Sequence, residues 1–309
     1  MKVFIAGATG VLGRATVPRL IAAGHEVLGV ARSPEKAEQL RAQGASAVQV
    51  DLFDPASVRD AIAGFDAIVH MATNVPPASR GWRSGAWATH DRLRREGTVS
   101  LTRAARDAGV RRFVKESVCF SYADQRDAWI DEDSPLDQLS FTTATLDAER
   151  TAVEFTGGDR RGVALRFGLF YSADARSLAE SLALAKRGLS PMIGAPEAYQ
   201  PSIHVDDAAT AIIAALTAPA GFYNVADDPI TKGEWSAAFA EAFGIVRRQR
   251  PVPKIALAAG GKKVSELSAS RRVSSARFMH ATRWAPAYAD ARIGLKSVAE
   301  AWRRNGGTL

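Results

Sequence analysis

From Lys2 to Arg32 the chain switches between two hydrophobic patterns, and that switching recurs for most of its length. Val3, Phe4 and Ile5 make an unbroken apolar run, the pattern of a parallel strand buried on both faces. An apolar helix is expected from Ala15 to Ala23, then Gly24, then a second strand ending Val-Leu-Gly-Val-Ala-Arg32. The same reading predicts a helix over Pro34–Ala42, strands over Ser46–Asp51 and Phe65–His70, a long helix over Asp91–Ala108 and a strand over Arg112–Ser117. Strands alternating with helices in this way are βαβ units around a parallel sheet. Ile203–Asp207 and Phe222–Ala226 flank an alanine-rich helix and predict one more pass back to that sheet. Between Arg166 and Gln200, and from Ile230 onward, the alternation is lost.

These patterns predict an α/β protein with a Rossmann-like doubly wound parallel sheet and a smaller, mostly helical C-terminal substrate lobe. The first domain takes residues 1–165, with 201–229 returning to the sheet; 166–200 and 230–309 form the lobe. The chain has 309 residues, 47% of them hydrophobic, so it can bury a large core. Its net charge of +7 would attract polyanions, but the basic residues are spread along the chain and make no stripe, which argues against nucleic acid. Cys119 is the only cysteine, which excludes a disulfide framework and a cysteine-based zinc site. No apolar run is long enough to span a bilayer, and the chain enters a strand at once with no signal peptide. A cytoplasmic monomer or homodimer, free of membrane and metal, is expected.

The candidate chemistry starts at Gly7-Ala-Thr-Gly10-Val-Leu-Gly13, between the first strand and the first helix. In that context Gly7 permits a tight turn, Gly10 lets backbone approach a pyrophosphate, and Gly13 lets the helix pack closely on the strand. Thr9, Val11 and Leu12 then line the phosphates at the helix N-terminus. An NAD site places an acid at the end of the second strand, whereas this chain has Arg32, with Lys36 one turn further on. A cation there suits the 2′-phosphate of NADP. Asp51 and Leu52 close the third strand; Asp51 either faces adenine or caps the helix that begins near Pro55. Met71, Ala72 and Thr73 follow the fourth strand as a rim for the cofactor, and His70 reads as a packed strand-end residue. From Asn74 to His90 runs a long loop with Trp82 and Trp87, read as facing the substrate.

Taken together, Gly7–Gly13, Asp51-Leu52, the strand ending at Ser117, Leu165-Arg-Phe-Gly-Leu-Phe-Tyr171, His204-Val-Asp-Asp207 and Tyr223-Asn-Val resemble an extended short-chain dehydrogenase/reductase, of the NAD-dependent epimerase/dehydratase type. The resemblance implies Phe167 as a further cofactor contact and Ser117 as the hydroxyl that orients the substrate oxygen. It also implies a Tyr-x-x-x-Lys proton relay. Matching Leu146-Asp-Ala-Glu149 to the family pattern puts Phe141 where the tyrosine belongs and Thr145 where the lysine belongs. No lysine lies between Lys115 and Lys186, and no tyrosine between Tyr122 and Tyr171, so the chain is an atypical member.

Losing a positioned acid forfeits about 10²–10⁴ in rate, whereas orientation of hydride against carbonyl contributes far more. The expected activity is therefore an NADPH-dependent ketoreductase whose proton comes from substrate or water. Within the resemblance, reductases of antibiotic pathways act on aromatic polyketides, of which an angucyclinone is the expected type. A planar aromatic ketone suits Trp82, Trp87, Tyr122, Phe141, Phe170 and also Trp235; Thr145 is the remaining catalytic candidate beside Ser117. Thr142 and Thr143 offer further hydroxyls. Arg166 reads as an ion-pair partner or cofactor contact, and Asp206 and Asp207 as the start of a helix. The alternatives are a non-catalytic NADP-binding redox sensor and an epimerase- or dehydratase-like isomerase.

Overall fold

The computed structural model describes residues 1–76, 85–137, 142–252 and 267–308, without the side chain of Arg176. In chain order the strands and helices of the first half are β1 (Lys2–Ala6), α1 (Val11–Ala22), β2 (Glu26–Val30), α2 (Pro34–Ala42), β3 (Ser46–Val48), α3 (Pro55–Ala61), β4 (Ala67–His70), α4 (Ala88–Arg92), α5 (Thr98–Asp107), β5 (Arg112–Val118), β6 (Trp129–Ile130) and α6 (Thr143–Val153). The second half adds β7 (Arg161–Phe167), β8 (Leu169–Tyr171), α7 (Arg176–Lys186), β9 (Tyr199–Gln200), β10 (Ser202–His204), α8 (Val205–Ala215), β11 (Gly221–Val225), β12 (Ile230–Thr231), α9 (Lys232–Ala242), β13 (Arg272–Val273), α10 (Ala276–Thr282) and α11 (Ala291–Arg304).

Seven strands form one parallel sheet in the order β11-β7-β5-β4-β1-β2-β3. The strand order reverses beside β1, which has β2 on one side and β4 on the other. Val3, Phe4 and Ile5 are fully buried because helices cover both faces. On one face Val3, Ile5, Val69 and Leu165 pack against α1, α8 and Phe278 of α10. On the other, Phe4, Ile68 and Phe113 pack against Leu101 of α5 and Phe155 just beyond α6. A separate cluster of Leu178, Leu182, Trp235, Phe239, Leu295 and Val298 joins α7, α9 and α11.

Several boundaries differ from the sequence reading. Helix α1 starts at Val11, not Ala15, because the glycine turn hands over directly to the helix. Strand β3 stops at Val48, well short of Asp51. The helix expected over Asp91–Ala108 begins earlier, at Ala88, and is broken by a π-helical turn at Leu93–Gly97. Such turns recur at functional sites. Of the last predicted βα pass, only β11 joins the main sheet; β10 pairs with β8 outside it.

Candidate active site

The glycine turn is built by close backbone approaches. Gly7 has φ +96°, and a Cβ there would lie 2.6 Å from the Ala72 nitrogen and from the Met71 carbonyl carbon. The turn thus nests directly against the chain leaving β4. A Cβ on Gly13 would lie 2.3 Å from the Gly7 carbonyl oxygen, so α1 can seat on the turn only with glycine there. Gly10 meets only the Gly7 oxygen, at 3.3 Å, and so keeps its outer side open. No side chain caps α1 and its first turn has no acid, leaving Thr9, Val11 and Leu12 beside an amide-rich helix end. Ordinary turns need neither the Gly7 nor the Gly13 contact. A dinucleotide pyrophosphate fits this cradle.

Cations gather where the adenosine half would lie. Arg32 is exposed just past β2. Ser33 caps α2 by accepting the Lys36 amide, and the Lys36 Nζ comes 3.5 Å from the Thr9 hydroxyl. Arg14, which the sequence reading missed, donates to the Thr9 carbonyl at 3.2 Å and pairs with Asp174 at 2.5 Å. Its signal was its position immediately after Gly13. Asp51 is exposed and accepts the Phe53 amide at 2.9 Å; the cap of α3 is Asp54, not Asp51. Leu52 is half-buried beside it.

Met71, Ala72 and Thr73 leave β4 as expected, with the Met71 amide donating to the Ala6 carbonyl at 2.7 Å. At the end of β5 the picture changes. Ser117 is fully buried and donates its hydroxyl to Glu149 of α6, so it faces the interior and not the cleft. The same carboxylate pairs with Arg166 at 2.7 Å, and Arg166 donates to the Tyr122 hydroxyl at 2.8 Å. Tyr122 in turn donates to Asn224 at 2.7 Å. Burial pushes the Tyr122 phenol above the ordinary tyrosine range, despite the neighbouring guanidinium. It is neither a cleft aromatic nor a substitute acid. Thr145 is 2% exposed on α6.

The aromatic expectations fare unevenly. Phe167 is buried in the sheet core with Phe170, half-buried, 5.3 Å from it. Phe167 therefore contributes packing where a cofactor contact was expected. Trp235 stacks on Phe239 inside the lobe, so it too is a core residue. Trp87 is half-buried with its ring edge-on to His90 at 5.2 Å. Trp82 and Phe141 lie outside the described residues. Asp206 pairs with Arg19 of α1 at 2.9 Å, and Asp207 accepts the Ala287 and Tyr288 amides. His204 supplies the cap itself.

The fold and glycine cradle define a dinucleotide-dependent protein of the doubly wound α/β class. The chain belongs to the NAD dependent epimerase/dehydratase family, whose model matches residues 3–226. It is 31% identical to a 3-diazoavenalumate denitrifying reductase of a Streptomyces species, over 96% of this chain and 99% of that protein. It is 29% identical to the 4-hydroxy-2-methyl-3-oxo-4-farnesyl-3,4-dihydroquinoline-1-oxide ketoreductase of Stigmatella aurantiaca, over 56% of this chain and 52% of that one. Among solved structures it resembles human epimerase family protein SDR39U1 with NADPH, at a TM-score of 0.83, 25% identity and coverage of 97% and 99%. The protein is an oxidoreductase, a reductase of the short-chain dehydrogenase/reductase type acting on a small molecule. Among the described residues no helix is long and apolar enough to cross a membrane.

Proposed function

We propose that this protein is an NADPH-dependent ketoreductase of antibiotic biosynthesis that acts on an aromatic, angucyclinone-type ketone. When bound, the reduced nicotinamide supplies hydride to the carbonyl. Residues 1–165 with 201–229 hold the cofactor, and 166–200 with 230–309 shape the substrate side. Lys36 and Arg14 meet at Thr9, with Arg32 exposed just past β2, and these cations support NADPH over NADH. A charge-assisted contact is worth about 1.5–3 kcal/mol, on the order of tenfold to a hundredfold in affinity.

The observation that carries the reading is the inward turn of the Ser117 and Tyr122 hydroxyls near the chemical end. Ser117 and Tyr122 are both engaged in the Glu149–Arg166 network. The proton then comes from a hydroxyl of the substrate or from water. NADPH oxidation should be followed with purified protein against a panel of polycyclic quinone and aromatic ketones. Turnover with at least one is expected, and none across the panel overturns the ketone assignment.

The Streptomyces relative favours a second reading in the same mechanism. Its name implies loss of dinitrogen, and an arenediazonium ion accepting hydride yields arene and N2 with no proton required. Nitrogen release from an aryldiazonium substrate, without ketone turnover, would select it.

A further inference from the structure

One ion pair ties the lobe to the glycine turn. Asp174 lies in the segment that follows β8, on the lobe side, yet it pairs with Arg14 in the first turn of α1, immediately after Gly13. Both partners are held from a second side. One oxygen of the Asp174 carboxylate accepts the Ser172 hydroxyl at 2.7 Å, and the other accepts Arg14 Nε at 3.1 Å and Nη2 at 2.5 Å. From Nη1, Arg14 also donates to the Thr9 carbonyl at 3.2 Å. Upstream, Tyr171 donates its hydroxyl to Asp227, just past β11, and its ring lies edge-on to His204 at 5.4 Å. Gly294 of α11 leaves room for that hydroxyl, since a Cβ there would lie 2.2 Å from it. Segment 171–174 is therefore anchored before it reaches the turn.

A pair this exposed, at 39% and 49%, contributes little to folding. What it leaves open matters more. A guanidinium has five N–H groups; three of those on Arg14 are used by Asp174 and Thr9, so two remain for an anion. They remain beside Thr9, on the turn that fits a dinucleotide pyrophosphate. A free arginine would spread over many rotamers and lose that freedom on binding. Held by Asp174, Arg14 has its charge in place before the cofactor arrives.

We propose that Arg14 contacts a phosphate group of the bound cofactor and that Asp174 is its positioning residue, so that the lobe takes part in holding the cofactor. The proposal rests on the reading that a dinucleotide occupies the glycine cradle. Arg14 supplies the charge-assisted contact, and Asp174 acts only through Arg14. The sign of the effect separates this role from bare electrostatics. A carboxylate near phosphate repels it, so repulsion alone would make removal of Asp174 tighten binding, whereas loss of positioning weakens it.

The test is fluorescence titration with NADPH and NADH of wild type, Arg14→Met, Asp174→Ala, Asp174→Glu and the double variant Arg14→Met/Asp174→Ala. Arg14→Met should raise Kd for NADPH by about tenfold or more, the size of a lost charge-assisted contact. Asp174→Ala should raise it by about three- to fivefold, and Asp174→Glu, which keeps the charge, should stay within about twofold of wild type. The double variant should bind no more weakly than Arg14→Met, because Asp174 has nothing left to position. A loss shared by NADH places Arg14 on the pyrophosphate and a loss confined to NADPH places it on the 2′-phosphate; either supports the proposal. An unchanged Kd in Arg14→Met, or an unchanged or lower Kd in Asp174→Ala, overturns it. So does an equal loss from Asp174→Ala with and without Arg14, which a merely structural role would give. Should Arg14→Met fail to fold, the sign of the Asp174→Ala change decides alone. Binding of neither nucleotide by wild type overturns the cofactor reading and the proposal with it.

Discussion

The two ends of the cleft are constructed differently. At the β1–β2 end the grip is centred on one βαβ unit, closed by the chain leaving β4 and by Lys36 of α2, and its glycine contacts are with backbone. Gly7 abuts Met71 and Ala72, Gly13 abuts Gly7 and Ala8, and Lys36 reaches Thr9. At the β5–α6 end the polar groups come from elements far apart in the chain and satisfy each other. Ser117, Glu149, Arg166, Tyr122 and Asn224 close a network in which no hydroxyl is left for a substrate oxygen. Cofactor retention and proton delivery are therefore separable: the first depends on local backbone geometry, the second on long-range convergence that can be rewired into structure.

The strongest way to break this comparison is Glu149→Ala. It would strand the Arg166 guanidinium, 3% exposed, and deprive Ser117 of its acceptor. Removing one partner of a buried ion pair costs about 3–5 kcal/mol. Urea unfolding should register a loss of that size. A loss under about 1 kcal/mol would mean that the network is not structural, and Ser117 would return as a candidate for the cleft.

Acid sharpens the same contrast. Burial, with Arg94 and Lys115 adding to it, pushes His90 down to about 3. Its folded value lies below the unfolded value of about 6.5, so the unfolded state takes up the proton first. The stability that depends on neutral His90 is complete above about pH 6.5 and is lost progressively as pH falls toward 3. Thermal unfolding between about pH 7 and about pH 4 should show a falling Tm in wild type and a flatter profile in His90→Phe. Equal slopes would remove His90 from the acid response.

What was legible in the sequence follows the same division. The glycine turn, the cation after the second strand and the helix at Pro34–Ala42, announced by Ser33-Pro34, are local signals, and the turn, the position of Arg32 just past β2 and the helix are all present in the structure. Ser117 was found by position, but its partners lie at Glu149 and Arg166, and the face it presents depends on both. Lys115 carried a signal that went unused: a lysine inside a central parallel strand is buried on either face and must find partners. The π-helical turn had no such signal, because its apolar spacing continues that of the flanking helices.

At the cofactor end, Arg32→Glu replaces an exposed cation by an anion where the 2′-phosphate is expected. NADPH affinity should fall by about tenfold to a hundredfold, from the 1.5–3 kcal/mol of a charge-assisted contact, with NADH affinity little changed. Titration by fluorescence measures both. Equal affinity of variant and wild type for NADPH would shift the phosphate contact to Lys36 and Arg14, already beside Thr9.

The smallest effect is expected at Thr145→Ala, and it tests the chemical end most directly. Thr145 occupies the helix position at which the family resemblance expects a lysine, yet it is 2% exposed and neutral. Alanine raises helix propensity by about 0.5 kcal/mol while giving up a buried methyl group, so stability should change by less than about 1 kcal/mol. If the proton comes from substrate or water, kcat/KM should change by less than about threefold, because no acid has been removed. A loss of about 10²–10⁴ would identify the threonine hydroxyl as the missing donor. The interior network would then be only half of the rewiring, with α6 still presenting one catalytic group to the cleft.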